Sequence, residues 1–209
     1  DVNGDGLADL IIGALYADPN GESNAGSSYV VFGTTDTSAI ELSAVSAGSG
    51  GFIINGQTEY DFSGRSVSSA GDVNGDGLAD LIIGALYADP NGESNAGSSY
   101  VVFGTTDTSA IELSAVAAGS GGFIINGQTT DDYSGFSVSS AGDVNADGLA
   151  DLIIGAYGAD PNGDYSGSSY VVFGTTDTSA IELSAVAAGS GGFIINGQTN
   201  GDYSGFSVS

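Results

Sequence analysis

Three copies of one short acidic motif carry the chemistry that this sequence can offer. The motif reads D-x-N-x-D-G-x-x-D and begins at Asp1, Asp72 and Asp143. It places three carboxylates and one amide oxygen in a nine-residue loop that has Gly at its sixth position. Alternate residues of a tight loop can point to the same side, and oxygen donors suit a hard divalent cation. The motif therefore predicts one cation site in each copy.

Ca²⁺ is the cation that this donor set favours, because it takes six to eight oxygen ligands in a flexible shell. A backbone carbonyl at position seven would add to the side chains, as in an EF-hand loop, although no Glu stands at position twelve. We predict about one Ca²⁺ per repeat. The predicted ligands, with each Leu contributing its carbonyl, are Asp1, Asn3, Asp5, Leu7 and Asp9; Asp72, Asn74, Asp76, Leu78 and Asp80; and Asp143, Asn145, Asp147, Leu149 and Asp151.

Other interpretations of the motif are weaker. Mg²⁺ demands a small octahedral shell and keeps its waters, and Zn²⁺ would lack the His and Cys ligands that it prefers. The loop could also be a plain hairpin turn with solvated carboxylates. Three copies with three aligned Asp residues each would then gather like charges without any gain, which favours the ion.

The charge balance and the missing residue types exclude several classes of function. The chain has 26 acidic residues and one basic residue, Arg65, so it repels nucleic acids and anionic membranes. It has no His or Cys, which excludes Ser-His and Cys-His nucleophile pairs and disulfides. Paired carboxylates could serve glycoside hydrolysis, but the acids recur identically in every repeat. We therefore predict a chain without catalytic residues or an organic cofactor.

The motif recurs with a period of 71 residues, which divides the chain into repeats 1–71, 72–142 and 143–209 that share one array. Short apolar blocks bounded by Gly, Asn and Asp predict strands at 63–73, 80–86, 98–104 and 122–127. A short helical turn is expected around Ile111 to Val116. Even spacing with tight turns predicts antiparallel sheets.

The blocks LIIGA, YVVFG and FIING are apolar on both faces, so their sheets must be covered on both sides. We therefore predict an all-β fold of tandem four-stranded blades stacked face to face, as in a β-propeller. A ring needs about four to eight blades. Three repeats would form part of a larger or oligomeric ring, or else an open stack. The absence of Met suggests an internal piece of a longer or processed protein.

Three minor features complete the candidate residues. Asp18, Asp89 and Asp160 open D-P-N-G segments that predict turns, with a second ion contact as the alternative. Arg65 stands where later repeats have Phe and is expected to be a tolerated surface change. Tyrosines that flank the loops would either cap blade edges or form an exposed recognition rim; they are Tyr16, Tyr60, Tyr87, Tyr133, Tyr157, Tyr165 and Tyr203.

The segment from Ser134 to Ala156, SGFSVSSAGDVNADGLADLIIGA, resembles the FG-GAP repeats of the integrin α-subunit propeller, as does GSSYVVFG after it. The resemblance covers essentially the whole chain. It implies that the acidic loop joins the first two strands of a blade and binds Ca²⁺. The chain departs from that family in its near-identical repeats and its repeat count, so integrin-like ligand recognition is not carried over.

Two non-catalytic functions follow from these patterns. The first is an extracellular calcium-binding module with a structural or adhesive role, on a cell surface or secreted and of bacterial origin. The second is a building block of a surface fibre, which near-identical repeats favour. An accessory propeller of a secreted hydrolase is a weaker alternative. The expected partners are other repeats of the same or neighbouring chains and a protein or glycan ligand, with no nucleic acid and no membrane insertion, because no apolar run is long enough.

Overall fold

The computed structural model describes all 209 residues, which form strands, three short helices and tight turns. The strands are β1 (Leu10–Ala14), β2 (Ser27–Val31), β3 (Gly51–Asn55), β4 (Ser66–Gly71), β5 (Asp80–Ala85), β6 (Ser98–Val102), β7 (Ile111–Glu112), β8 (Gly122–Asn126), β9 (Ser137–Gly142), β10 (Asp151–Ala156), β11 (Ser168–Val172), β12 (Ile181–Glu182) and β13 (Gly192–Asn196). The helices are α1 (Leu42–Ser46), α2 (Leu113–Ala117) and α3 (Leu183–Ala187). None of these helices has the length and apolar character that crossing a bilayer requires.

The strands form three sheets, one after another along the chain. Sheet 1 has the order β1-β2-β3-β7, sheet 2 has β12-β8-β6-β5-β4, and sheet 3 has β13-β11-β10-β9. Neighbouring strands are antiparallel except where β7 joins β3 and β12 joins β8. The prediction of an all-β fold with four-stranded antiparallel units is confirmed in sheets 2 and 3. The three sheets do not close into a ring.

The segment that follows Ala110 differs from its prediction. A helical turn was expected around Ile111 to Val116, but Ile111 and Glu112 form the strand β7 before α2 begins at Leu113. This strand leaves its own repeat and pairs in parallel with β3 of the preceding sheet, with Ile54 opposite Ile111. β12 repeats the arrangement on β8. Each sheet is therefore joined to the next by a borrowed strand.

Two hydrophobic clusters lie between the sheets and explain why the strands are apolar on both faces. The first joins Phe52 and Ile54 of sheet 1 to Leu81 and Ile83 of sheet 2. The second joins the back of sheet 2 to the front of sheet 3 in the same way. All six residues of β5 are buried, since a sheet covers each side of this strand. Full burial of one such aliphatic side chain stabilises the fold by about 1.5–3 kcal/mol.

A glycine in each LIIGA block allows the sheets to approach closely at one edge. A Cβ on Gly84 would lie 1.9 Å from the carbonyl oxygen of Gly135, and a Cβ on Gly155 would lie 1.9 Å from that of Gly205. A strand glycine of this kind marks a close approach of two backbones. The packing of neighbouring sheets thus depends on the absence of a side chain at this position.

Candidate metal centre

The acidic loops occupy equivalent places in the fold. Loop 2 (Asp72–Asp80) joins β4 to β5, loop 3 (Asp143–Asp151) joins β9 to β10, and loop 1 (Asp1–Asp9) leads into β1. The glycine at the sixth position has a positive φ in each loop, with values of 88°, 90° and 93° at Gly6, Gly77 and Gly148. Its predicted role in a sharp turn is confirmed, because L-residues rarely adopt this conformation.

The side chains at the first, third and fifth positions fold over their own loop. In loop 2 the Asp72 carboxylate accepts hydrogen bonds from the backbone N–H of Asp76 at 3.1 Å and of Gly77 at 2.9 Å. The Asn74 carbonyl accepts from the Asp76 N–H at 2.8 Å, and the Asp76 carboxylate accepts from the Leu78 N–H at 2.8 Å. The loop therefore holds these three oxygen-bearing side chains in fixed positions.

The Asp at the ninth position has a second task that the sequence did not reveal. Asp80 and Asp151 have 0% of their surface exposed. The two oxygens of Asp80 accept hydrogen bonds from the backbone N–H of Val73 at 2.8 Å and of Gly104 at 2.9 Å. Asp9 and Asp151 make the same pair of bonds in their repeats. This carboxylate ties the start of its loop to the end of a neighbouring strand.

Burial and like charges both act on this carboxylate. Burial raises the pKa of Asp80 to about 6, against the effect of its two N–H donors, and the nearby Asp76 and Asp72 carboxylates push that pKa in the same direction. At the fifth position, the Leu7 N–H and the Asn3 side chain hold the pKa of Asp5 below its usual value. Each loop thus gathers negative charges, which a bound cation would neutralise.

The chain itself supplies no cation for these loops. Its one basic residue, Arg65, lies over the Phe136 ring with the guanidinium carbon 4.5 Å from the ring centroid. This stacking gives the residue a packing role that goes beyond the expected tolerated surface change. Neutralisation of the loops therefore has to come from an external ion.

The structure keeps the predicted ligands of each repeat within one loop but does not draw three acidic side chains into a metal-binding cluster. The Asp oxygens are turned toward backbone N–H groups instead. The donors fit a hard cation chemically, since they are oxygens of Asp and Asn only and include a buried carboxylate near two others. Asp1, Asp5 and Asp9, with their counterparts in the other loops, remain predicted ligands.

Aromatic side chains form a row that crosses all three sheets. Tyr16 contacts Phe62 with the ring centroids 5.7 Å apart, Phe62 contacts Tyr87 at 5.4 Å, Tyr87 contacts Tyr133 at 5.7 Å, and Tyr133 stacks on Tyr157 at 5.3 Å. Tyr16 and Tyr87 are also exposed. Both predicted roles of these tyrosines are thus met, because the rings pack across sheet junctions and present an outer edge.

A cavity of about 660 Å³ lies at the junction of sheets 1 and 2. Asp61, Asp89, Tyr100 and Gln57 line it, and the Tyr100 hydroxyl donates to the Gln57 side chain at 3.4 Å. Burial raises the pKa of Asp61 to about 7, and the Asp89 carboxylate adds to this shift. A smaller cavity of about 320 Å³, which includes Asp132, lies at the junction of sheets 2 and 3. Sequence reasoning missed Asp61 because no motif surrounds it.

The turn acids have a simpler role than an ion contact. Asp18 accepts a hydrogen bond from the Asn24 N–H at 2.7 Å, and Asp89 accepts one from the Asn95 N–H at 2.7 Å. Asp160 accepts one from the Tyr165 N–H at 2.5 Å. These bonds close the connection between the second and third strands of a sheet, as the turn interpretation predicted.

Comparison with known proteins places these repeats among characterised ones. FG-GAP repeats match residues 1–31, 63–102 and 134–172. The chain is 31% identical over 172 residues to integrin alpha-5 of Xenopus laevis, and the aligned part covers 80% of the chain. It is 30% identical over 169 residues to integrin alpha-PS2 of Drosophila melanogaster, covering 77% of the chain. The chain spans only 15% and 11% of the lengths of these two relatives.

Proposed function

Because the chain belongs to the FG-GAP repeat family, we propose that it is a non-catalytic, extracellular calcium-binding module with a structural or adhesive role. In this proposal about one Ca²⁺ per repeat braces the loop between the first two strands of each sheet. Integrin relatives support the adhesive role. Their similarity covers a small part of those proteins, so the ligand is left to the chemistry of this chain.

The observation that carries the proposal is the concentration of carboxylates in each loop without a basic partner. Asp72, Asp76 and Asp80 lie within nine residues, and the first two raise the pKa of the third. Bound Ca²⁺ would neutralise this charge and supply a common centre for the oxygens of the loop. The chain's own residues do the rest, since Asp80 anchors the loop to Gly104 after β6.

A structural role suits the way the sheets are joined. Each acidic loop lies at one end of a sheet, and its ninth residue fixes it to the strand that packs in the core. Stiffening the loop therefore stiffens the first hairpin of that sheet. Partners in this role are other repeats of the same or neighbouring chains, and the exposed aromatic row offers a surface for a protein or glycan ligand.

A surface fibre remains the second candidate function. The observation that favours it is the near-identity of the repeats, because segment 34–58 matches segment 105–129 apart from Ser46 against Ala117. Recognition of a complex ligand normally uses loops that differ. Identical loops suit repeated contacts between equal units.

The test is calorimetric titration of the chain with Ca²⁺, combined with thermal melts in Ca²⁺, in Mg²⁺ and in excess chelator. A ligand that binds only the folded state raises the melting temperature with its concentration. We expect about one bound Ca²⁺ per repeat, a clearly lower melting temperature in chelator and little effect of Mg²⁺.

Asp76→Ala should remove the equivalent of one Ca²⁺ from the titration, whereas Asp107→Ala, outside the acidic loops, should leave the stoichiometry unchanged. The same melting temperature in Ca²⁺ and in chelator would contradict the proposal.

A further inference from the structure

The chain contains the same sheet-to-sheet interface twice. The back of sheet 1 presents Phe52 and Ile54 to Leu81 and Ile83 on the front of sheet 2. The back of sheet 2 presents the equivalent Phe and Ile residues to the front of sheet 3. The front and the back of one repeat are therefore complementary surfaces, as shown by two independent copies of the contact.

The two outer faces of the array expose the same residue types that the inner junctions bury. On the front of sheet 1, Leu10 is 62% exposed and Ile12 is 40% exposed, whereas their counterpart Leu81 is 3% exposed. On the back of sheet 3, Phe193 is 43% exposed and Ile195 is 46% exposed. One face thus carries one half of the interface, and the other face carries the matching half.

A borrowed strand and a polar clasp accompany each inner interface. Glu112 in β7 accepts hydrogen bonds from the side-chain amides of Asn55 at 2.7 Å and Asn20 at 2.8 Å, both in the preceding repeat. Glu182 repeats these bonds with Asn126 and Asn91. The contact therefore has a fixed register in addition to its apolar surface.

The parts of this clasp are unpaired at the two ends of the array. Ile40 and Glu41, which correspond to β7, form no strand, and Ile40 is exposed. At the other end, β13 has no parallel strand beside its Ile195 and Asn196. The segment 40–41 of one chain matches the free edge at 195–196 of another in sequence and in strand direction.

One position departs from full complementarity. A Cβ at Gly75 would lie 3.0 Å from the Leu149 side chain of the next repeat. The equivalent position in the third repeat is Ala146, so its methyl group would meet the Leu7 side chain of an incoming chain at a similar distance. The contact involves the far end of a flexible Leu side chain, which can rotate away.

We propose that the back of sheet 3 binds the front of sheet 1 of a second copy of this chain, head to tail, with Ile40–Glu41 added to the edge of β13. This deepens the proposed function, since it assigns the partner of the structural module. A closed propeller has about four to eight blades, and six is the only multiple of three in that range. The expected product is a ring of two chains, held by two equal interfaces.

Charge opposes this association at low ionic strength. Each copy carries a net charge of −25, and the repulsion between two copies is screened by salt. Dimer formation should therefore become tighter as NaCl is added, which is the opposite of an association driven by ion pairs. The apolar surfaces supply the attraction.

Sedimentation equilibrium on the wild-type chain and on two face variants tests the proposal. Variant H carries Leu10→Asp and Ile12→Asp on the front of sheet 1, and variant T carries Phe193→Asp and Ile195→Asp on the back of sheet 3. Both pairs of residues are exposed, so the fold of each chain should survive, which circular dichroism checks. We expect wild type at twice the 20.4 kDa of one chain, and each variant alone as a monomer.

An equimolar mixture of H and T separates head-to-tail contact from other modes. H keeps its intact back and T keeps its intact front, so the mixture should form a one-to-one dimer through a single interface. Dimerisation of H or of T alone would overturn the proposal, because it would show contact between like faces. A wild-type monomer at all salt concentrations would also overturn it, and an open series of masses would overturn the closure into a ring.

The measurements are made both in Ca²⁺ and in chelator, with circular dichroism recorded in parallel. Dimers in both conditions without any Ca²⁺-dependent melting would support the interface and refute the calcium proposal. A Ca²⁺-stabilised chain that stays monomeric in Ca²⁺ would refute the interface and leave the calcium proposal standing. The two hypotheses thus fail in distinguishable ways.

Discussion

The side-chain amide of Asn55 at the end of β3 donates to the carboxylate of Glu112 at 2.7 Å, although 57 residues separate them. The two residues belong to consecutive repeats and face each other in a parallel strand pair. Glu112 also accepts from Asn20, so one carboxylate satisfies two amides of the preceding repeat. This bond links the borrowed strand to the sheet that receives it.

Glu112→Ala should lower the free energy of unfolding by about 1–2 kcal/mol, because two charge-assisted hydrogen bonds at a half-buried site are lost. Glu41→Ala is the matched control, since the equivalent glutamate in the first repeat has no neighbouring sheet within the chain. Urea unfolding at concentrations where the chain is monomeric gives both values. Equal losses in the two variants would show that the clasp does not stabilise the junction.

Gly84→Ala should lower the free energy of unfolding by more than about 3 kcal/mol, because its Cβ would lie 1.9 Å from the Gly135 carbonyl oxygen and the backbones would have to separate. Gly121→Ala is the control: it has a positive φ but open space around it, so only a backbone cost of about 1–2 kcal/mol is expected. A similar loss for both, in urea unfolding, would argue against tight packing of the sheets.

Ala146→Gly should raise the free energy of unfolding by about 0.5–1 kcal/mol, because Ala146 has a φ of 62°, which costs a residue with a Cβ energy that glycine avoids. Ala118→Gly removes the same methyl group at a φ of −83° and should be neutral or destabilising. Differential scanning calorimetry compares the two in chelator. A lower stability of Ala146→Gly than of wild type would refute the strain at this position.

Asp61→Asn should stabilise the chain at pH 8 relative to wild type, and the difference should shrink toward pH 5. The folded-state pKa of Asp61 is about 7, above the ordinary value of 3.8, because the side chain is buried and lies near Asp89. The folded state therefore binds the proton more tightly, and stability falls as pH rises from about 4 to about 7. Asn stays neutral and removes this loss.

Melting temperatures of wild type and Asp61→Asn across this pH range check the prediction. Glu59→Gln, an exposed change two residues away, should leave the pH dependence of wild type intact. An Asp61→Asn curve parallel to the wild-type curve at every pH would contradict the buried, protonated state of Asp61.

Much of the fold could be predicted from short apolar blocks between Gly, Asn and Asp turns. The predicted segment 80–86 became β5 (Asp80–Ala85), and 122–127 became β8 (Gly122–Asn126). These blocks are apolar on both faces because two sheets cover them, which is a local pattern with a global cause. The family was predicted for the same reason, since its motif lies in consecutive residues.

The borrowed strand could not be predicted, because β7 has two residues and its partner lies 57 residues earlier at Asn55 and its neighbour. Two residues show no periodicity, and the segment leads directly into α2. The second role of Asp80 was missed for a similar reason. Its partner Gly104 becomes a neighbour only through the order of the strands in sheet 2.

The candidate metal centre was predictable in its donors and not in their arrangement. Position and residue type in the motif identify Asp72, Asn74 and Asp76 as oxygen donors within one loop. Their orientation depends on competition between backbone N–H groups and an ion, and in this structure the N–H groups hold them. Sequence spacing does not describe that competition.

The strand that each repeat lends to its predecessor also bears on how such a gene can change in length. Because β7 and β12 cross their junctions at the same register, any unequal exchange between copies that preserves the 71-residue period recreates a complete junction. The point of exchange within the period does not matter. Arrays of different lengths can therefore arise by recombination without a new surface having to evolve, and selection for a shared register keeps the copies interchangeable.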